Sequence, residues 1–425
     1  MSPAEANAWL CKLLLALLGD ELAKKLRITA DTDLLPYMYI TIKQKCWSGN
    51  MRVCKKEGHS CVRKIVSYSM WPARATWKSI HRAWDTILKH CGNTCDAWSL
   101  QDASSKLRSN IAMLLSNQNN CCHRCGAFHS SVSGVVADAG QFFEKVNRAE
   151  AIAEAQELLD IFMRSTKQVS VTIESKRKRT GWFGSPRFLH LHKRLTWYVE
   201  DLLRAFCAAM SVCLVSVCQT VFEMDGLPIG GLMSKCAACI TLGGQERRWK
   251  CSSAIRAQAG FYSKCNWNRA VCHIRYIDDV ILVSRIFCRQ CLIDSLSLIY
   301  NVPFDVSDDC LCLKWLDMSL DLNTCCLGLN IKQLVLPPHW SVPKTFLRNI
   351  LLGRFKRWSE IEPKLSEWQS AIVRLLFDVR LAGWSSTYVS SALFSIHNIA
   401  FAHYVFFAKF AWKTIKTEVP PDKAQ

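Results

Sequence analysis

Asp278 and Asp279 stand side by side between two β-rich apolar runs, Val271 to Tyr276 and Val280 to Ser284. Adjacent carboxylates are costly in such surroundings, because like charges at close range oppose each other's ionisation unless cations neutralise them. Mg²⁺, with Mn²⁺ as a substitute, relieves that cost by taking a few carboxylate oxygens and completing its shell with water and substrate phosphates. A third carboxylate from a neighbouring strand would complete a site for two ions, and Asp138, which ends the short apolar run of GVVADAGQFF, is the residue available. The pattern predicts a hairpin with carboxylates at its tip and a strand ending in Asp138 alongside it. Taken alone, an Asp-Asp pair is more often a solvated turn, so the surrounding elements must carry the argument.

Those elements follow in order. GLPIGGLMSK supplies Gly226, Gly230 and Gly231 for close backbone approach, and Ser234 can open the helix that follows. PYMYITIKQK and VRKIVSY read as two basic strands of a hairpin, carrying Lys43, Lys45, Arg63 and Lys64. Residues 131 to 285 alternate short apolar runs with helical stretches, which makes this an α+β chain. Arg, Trp and Leu recur at helical spacing beyond residue 340, and the tail EVPPDKAQ reads as disordered.

The whole chain has 425 residues, half of them hydrophobic, enough to bury a sizeable core in two or three subdomains. Lys and Arg number 54 against 35 Asp and Glu, a net charge of +19, so phosphate backbones are the expected partner in preference to anionic lipid. The KRKR tract at 176–179, close to Arg187, Lys193 and Arg194, reads as an exposed basic loop. Together with a nucleic-acid substrate it points to an intracellular, nuclear location. Leu10 to Leu18 reads as an amphipathic helix, and Ala205 to Phe222, interrupted by Ser211, Ser216, Gln219 and Thr220, as a buried helix passing into a buried strand; no membrane span is expected.

Twenty-three cysteines in a chain that opens without a cleavable apolar leader read as reduced thiols. Cys91 and Cys95, with Cys121, Cys122, His123 and Cys125, offer soft ligands at spacings a small zinc site could use. Pairs such as Cys288 with Cys291 are expected by chance in so cysteine-rich a chain.

The order Asp138 with following aromatics, then GLPIGGLMS, then YIDD resembles the palm motifs of reverse transcriptases. The resemblance extends to PYMYITIKQK with VRKIVS as paired fingers motifs, and LKWLDMSL is similar to the primer-grip region of Penelope-like retroelement enzymes. It covers roughly residues 30 to 400. It implies a right-hand polymerase fold: an N-terminal helical segment and fingers over 1–130, an antiparallel-sheet palm over 131–325 with a basic insertion near 175–195, a helical thumb over 326–415, and a disordered tail over 416–425. It further implies that Asp138 and Asp278 hold two Mg²⁺ ions with Asp279 assisting, and that Arg63, Lys64 and Lys43 cover the triphosphate. Phe143 would crowd a ribose 2′-hydroxyl, and Gly230 would let the chain pass under the nascent base pair. Trp315 and Leu316 would support the primer, and Arg348, Arg354, Lys356 and Arg357 would track the duplex. The implied partners are an RNA or DNA template, a primer strand and deoxynucleoside triphosphates.

The chain departs from the family where RKI stands in place of arginine followed by proline, and it lacks an obvious motif-D lysine; Lys314 belongs to the following element. Neither a GIY-YIG nuclease nor the spaced acids of a ribonuclease H is present, so the polymerase is expected to stand alone. The competing readings are a non-catalytic nucleic-acid-binding protein on the same scaffold and a viral RNA-dependent RNA polymerase.

Overall fold

A computed structural model describes residues 2–26, 28, 35–42, 62–69, 71, 73–91, 95–115, 121–127, 132–140, 142–174, 181–184, 194–211, 213–218, 220–261, 267–309, 311–332, 343, 345–396 and 402–418. The chain weaves through two compact units. One comprises Met1–Asp96, Ala139–Ala259 and Leu296–Asp305; the other comprises Ala97–Asp138, Gly260–Ser295 and Val306–Gln425.

The first unit opens with the helix Pro3–Leu18, started by a capping box in which the Ser2 hydroxyl accepts the Glu5 N–H and the Glu5 carboxylate accepts the Ser2 N–H. Leu10, Leu14 and Leu18 are buried while Leu15 and Leu17 are exposed, the amphipathic helix that the spacing predicts. Tyr37–Ile42 and Val62–Ser67 form the expected antiparallel pair, in register from Tyr37 opposite Ser67 to Ile42 opposite Val62. Residues 43–61, Lys43 and Lys45 among them, lie outside the described residues.

Tyr37–Ile42 also pairs with Leu214–Val217, which pairs in turn with Thr220–Glu223. The apolar run from Ala205 is thus the end of the helix Val199–Ser211 followed by two strands. Burial holds for Leu214 and Val215 but fails for Thr220–Glu223, because that strand is the edge of its sheet. Among the described residues, no helix is long and apolar enough to cross a membrane. A second sheet places Ser170–Glu174 between Gly181–Phe183 and Arg194–Tyr198; the KRKR tract and residues 185–193 lie outside the described residues.

Helices Arg148–Thr166 and Ser234–Cys251 pack closely where Gly244 leaves room for the buried side chain of Glu154. Arg247 and Arg248 pair with that carboxylate, which satisfies a charge that burial would otherwise make expensive.

In the second unit, the central strand Asp279–Ser284 lies between Val271–Tyr276 and Ser133–Asp138, antiparallel to both. Ser307 extends the sheet by donating its N–H to the Val136 carbonyl. A meander of Cys312–Trp315, Met318–Asp321 and Leu327–Leu329 follows. Gly134 has the Leu313 methyl 2.5 Å from where a Cβ would stand, so the meander and the strand meet at a point that only glycine accommodates without movement. Four helices complete the unit: Thr345–Ser359, Leu365–Leu381, Ser386–Ile396 and Ala402–Glu418. Their apolar faces share one core with Ile281, Val283, Leu313 and Trp315. The tail beyond Glu418 lies outside the described residues.

No disulfide links the described cysteines, and burial pushes the thiols of Cys95 and Cys272 up to about 12, so both are inert at neutral pH. Glycine supplies a sharper test of the fold. Gly230 has φ +90°, and a Cβ there would meet the Val66 carbonyl oxygen at 2.7 Å, whereas Gly353 lies in a helix with open space around it. Gly230→Ala should cost about 1–3 kcal/mol and Gly353→Ala should gain about 0.5–1 kcal/mol, both read from denaturant midpoints.

Candidate active site

The second unit brings the three aspartates together. Asp138 lies directly opposite Asp279 in the first of six rungs, the last being Ser133 opposite Ser284. Directly opposed residues of an antiparallel pair share a face, with Cβ atoms about 4.5–5.5 Å apart. Val280, Ile281, Leu282 and Val283 are fully buried, and each apolar side chain so placed contributes about 1.5–3 kcal/mol. A slip of one residue would break that packing and carry a side chain into the place of Gly134, so the opposition of the two aspartates is locked. Asp278 occupies the turn next to them. All three are half-exposed, accessible from solvent while mounted on a buried ladder.

The turn itself is strained. Ile277 has φ +64°, a conformation that a β-branched residue adopts rarely and at a cost of about 1–3 kcal/mol. A positive φ at the first position of a two-residue loop matches the twist of the flanking strands and is ordinarily supplied by glycine. The brace is Arg275, whose side chain is fully buried and donates to the Ile277 carbonyl at 2.9 Å. Its own carbonyl accepts the Ala97 N–H at 2.8 Å, which ties the strand to the chain leading into the helix Leu100–Leu115. Sequence reasoning missed Arg275; the signal was an arginine inside a run rich in apolar residues.

Three hard oxygen donors on one sheet end suit Mg²⁺ or Mn²⁺, and the opposition of like charges supplies the reason for a cation. The register places Asp279 directly opposite Asp138.

Around the meander, several expectations change. Trp315 is 1% exposed and packed in the core, which leaves no ring face for a primer strand. Leu316, with φ +55°, forms the turn, and its carbonyl accepts from the Asn330 side chain at 3.3 Å. Asp317, buried beside it, pairs with Arg354 at 3.5 Å and Arg357 at 2.5 Å. Two of the four cations expected to track a duplex therefore hold this turn to the first helix of the bundle; Lys356 is exposed and Arg348 half-exposed. Lys314 is a surface residue 3.9 Å from Asp309.

The first unit assembles a different group. The Val66 N–H donates to the Ile229 carbonyl at 2.8 Å, and Leu227 N–H donates to the Phe143 carbonyl at 2.5 Å. The glycine element thus links the strand bearing Lys64 to the short helix bearing Phe143. Lys64 is exposed; Phe143 is half-buried, with its ring 5.5 Å from that of the buried Phe142. The strand places Arg63 opposite Thr41, while Lys43 lies outside the described residues. A side chain at Gly230 would meet the Val66 carbonyl, a steric reason for glycine at this point. Ser234 does not cap the helix it begins; its hydroxyl donates to the Pro228 carbonyl at 2.7 Å.

Arg275→Met should leave the Ile277 carbonyl without its donor and cost about 1–3 kcal/mol in a denaturant melt. Ile277→Gly should lose no stability, since relief of strain offsets the added chain entropy. A melt in which Ile277→Gly is clearly destabilised would argue against strain at this turn.

No family model matches the chain, and no curated protein matches it. Solved structures resemble it at low identity. A telomerase from Candida albicans, in complex with a telomeric RNA fragment, is 11% identical with a TM-score of 0.46 over 91% of this chain and 61% of that one. An apo telomerase from Candida tropicalis is 10% identical with a TM-score of 0.42 over 82% and 55%. An RNA-dependent RNA polymerase, described with vp4 and double-stranded RNA, is 12% identical with a TM-score of 0.43 over 89% and 28%. The chain spans about three fifths of the Candida albicans telomerase or less of the others. These likenesses are to nucleic-acid polymerases, and at such TM-scores the functional reading rests on the chain's own residues.

Proposed function

We propose that this chain is an RNA-directed DNA polymerase that extends a primer 3′-hydroxyl by two-metal nucleotidyl transfer. The observation that carries the reading is the locked opposition of Asp138 and Asp279, with Asp278 beside them in a strained turn braced by a buried arginine. Two Mg²⁺ ions held by these carboxylates would supply the activation of the hydroxyl and the neutralisation of the departing pyrophosphate. The ladder keeps the carboxylates in place, so little reorganisation is needed when the charge of the reaction develops.

The remaining roles follow from residue chemistry and from the order of the motifs. Arg63 and Lys64 supply cationic donors suited to a triphosphate. Phe143 supplies an apolar surface, and a buried ribose 2′-hydroxyl facing it would be left unpaired, which favours deoxynucleotides. The excess of 19 positive charges attracts a template and primer without reading sequence.

The test is primer extension on an RNA template with Mg²⁺ and either deoxy- or ribonucleotides, comparing wild type with the double substitution Asp278→Ala, Asp279→Ala. Deoxynucleotide incorporation should fall by at least about a thousandfold in the variant, a barrier increase of roughly 4 kcal/mol. Preference for ribonucleotides would replace this reading with RNA-directed RNA synthesis. Tight template binding with no extension by folded wild type would make the protein a nucleic-acid-binding scaffold.

A further inference from the structure

The second unit gathers four cysteines that the polymerase reading does not use. Cys122 and Cys125 lie in a turn ahead of the strand Ser133–Asp138, and Cys288 and Cys291 lie at the start of the helix Arg289–Ile299 that follows the strand Asp279–Ser284. Their four sulfurs are all within 4.8 Å of one another. The sequence pairing of Cys122 and Cys125 with Cys91 and Cys95 is thereby replaced: the partners come from the Cys288 and Cys291 pair that chance seemed to explain, and His123 and Cys121 are outside the group.

Two alternatives fail on geometry. A disulfide joins two sulfurs at about 2.05 Å, whereas Cys125 and Cys288 stand 3.7 Å apart and all four cysteines are free. Ordinary core thiols would all be buried, yet Cys125 is exposed and Cys288 half-exposed. A tetrahedral zinc ion with Zn–S bonds of about 2.3 Å requires sulfurs about 3.8 Å apart. Two C-x-x-C pairs brought to one point match that requirement in ligand number, ligand type and spacing.

The backbone is built for the same purpose. The Cys122 N–H donates to the Ala127 carbonyl and the Gly126 N–H to the Cys122 carbonyl, both at 2.8 Å, and Gly126 takes φ +74° to close the turn. The Cys288 N–H donates to the Cys122 sulfur at 3.3 Å, an amide aimed at one of the four ligand atoms. His123 N–H reaches the Ile286 carbonyl at 2.9 Å, and Arg124 pairs with Asp294 at 2.6 Å while lying 4.8 Å from the Phe261 ring. The turn is thus fastened to the start of the helix on several sides.

We propose that Cys122, Cys125, Cys288 and Cys291 bind one structural Zn²⁺ ion. Four ligands close the coordination sphere, so the ion has no open position for catalysis. Its role is mechanical. The site joins the chain entering one aspartate-bearing strand to the chain leaving the other, at the Ser133–Ser284 end of the ladder, five residues or roughly 17 Å from Asp138 and Asp279.

Full-length protein purified with reductant and without chelator should contain about one zinc per chain by plasma mass spectrometry. The double substitution Cys125→Ser, Cys288→Ser should lower that content at least tenfold. Replacement by Co²⁺ should give sulfur-to-cobalt charge transfer and the visible bands of a tetrahedral tetrathiolate. Should the variant fail to fold, the wild type decides: a mercurial should release the zinc to a chromophoric chelator as four thiols react, and amide exchange should rise in 133–138 and 279–284. Reduced wild type that holds no zinc and takes up no Co²⁺, zinc that persists in the folded variant, iron in place of zinc, or a Co²⁺ spectrum lacking thiolate bands would each overturn the proposal.

Discussion

Two like charges face one another across a β-ladder, and the fold makes that opposition unavoidable. Left to themselves, Asp138 and Asp279 would favour any register that separated them. They are held by the burial of Val280 to Val283, by the glycine beneath Leu313, and by a turn whose strained isoleucine is tied down from within. The sheet tolerates them because its apolar core outweighs their repulsion.

Much of this was legible because its signals are local. The β-rich runs on either side of YIDD, the β-branched runs of PYMYITI and VRKIVS, and the apolar stretch before Asp138 each predict a strand, and the strands formed in the pairings expected. Other features depend on a partner far along the chain. Nothing near Gly230 in sequence announces the Val66 carbonyl, so the steric demand for glycine there was invisible. Arg354 and Arg357 read as phosphate ligands because Asp317 lies roughly 40 residues away in an apolar stretch. Cysteines were grouped by proximity in sequence, yet Cys125 and Cys288, 163 residues apart, have sulfurs in contact distance. Roles for Phe143, Lys64 and Arg63 belong to the proposal, since residue type and motif order support them.

The two ends of the aspartate-bearing strand pair differ in chemistry. One end carries hard oxygen donors in half-exposed positions, suited to ions that exchange with a reaction cycle. The other carries soft sulfur donors closed around a single point, suited to an ion that stays. Ligand softness would sort the ions proposed for the two ends.

The interleaving of the two units also sets an order of events during synthesis. Ser133–Asp138 leaves the ribosome long before Asp279–Ser284, roughly 140 residues later, so at usual elongation rates its pairing edge stays without this partner for about 7–30 seconds. Through that interval the nascent strand, with Val135 and Ala137 unshielded, is a template for wrong pairing. Yield in a cell should therefore depend on chaperones that shelter the nascent chain, independently of how stable the finished protein is.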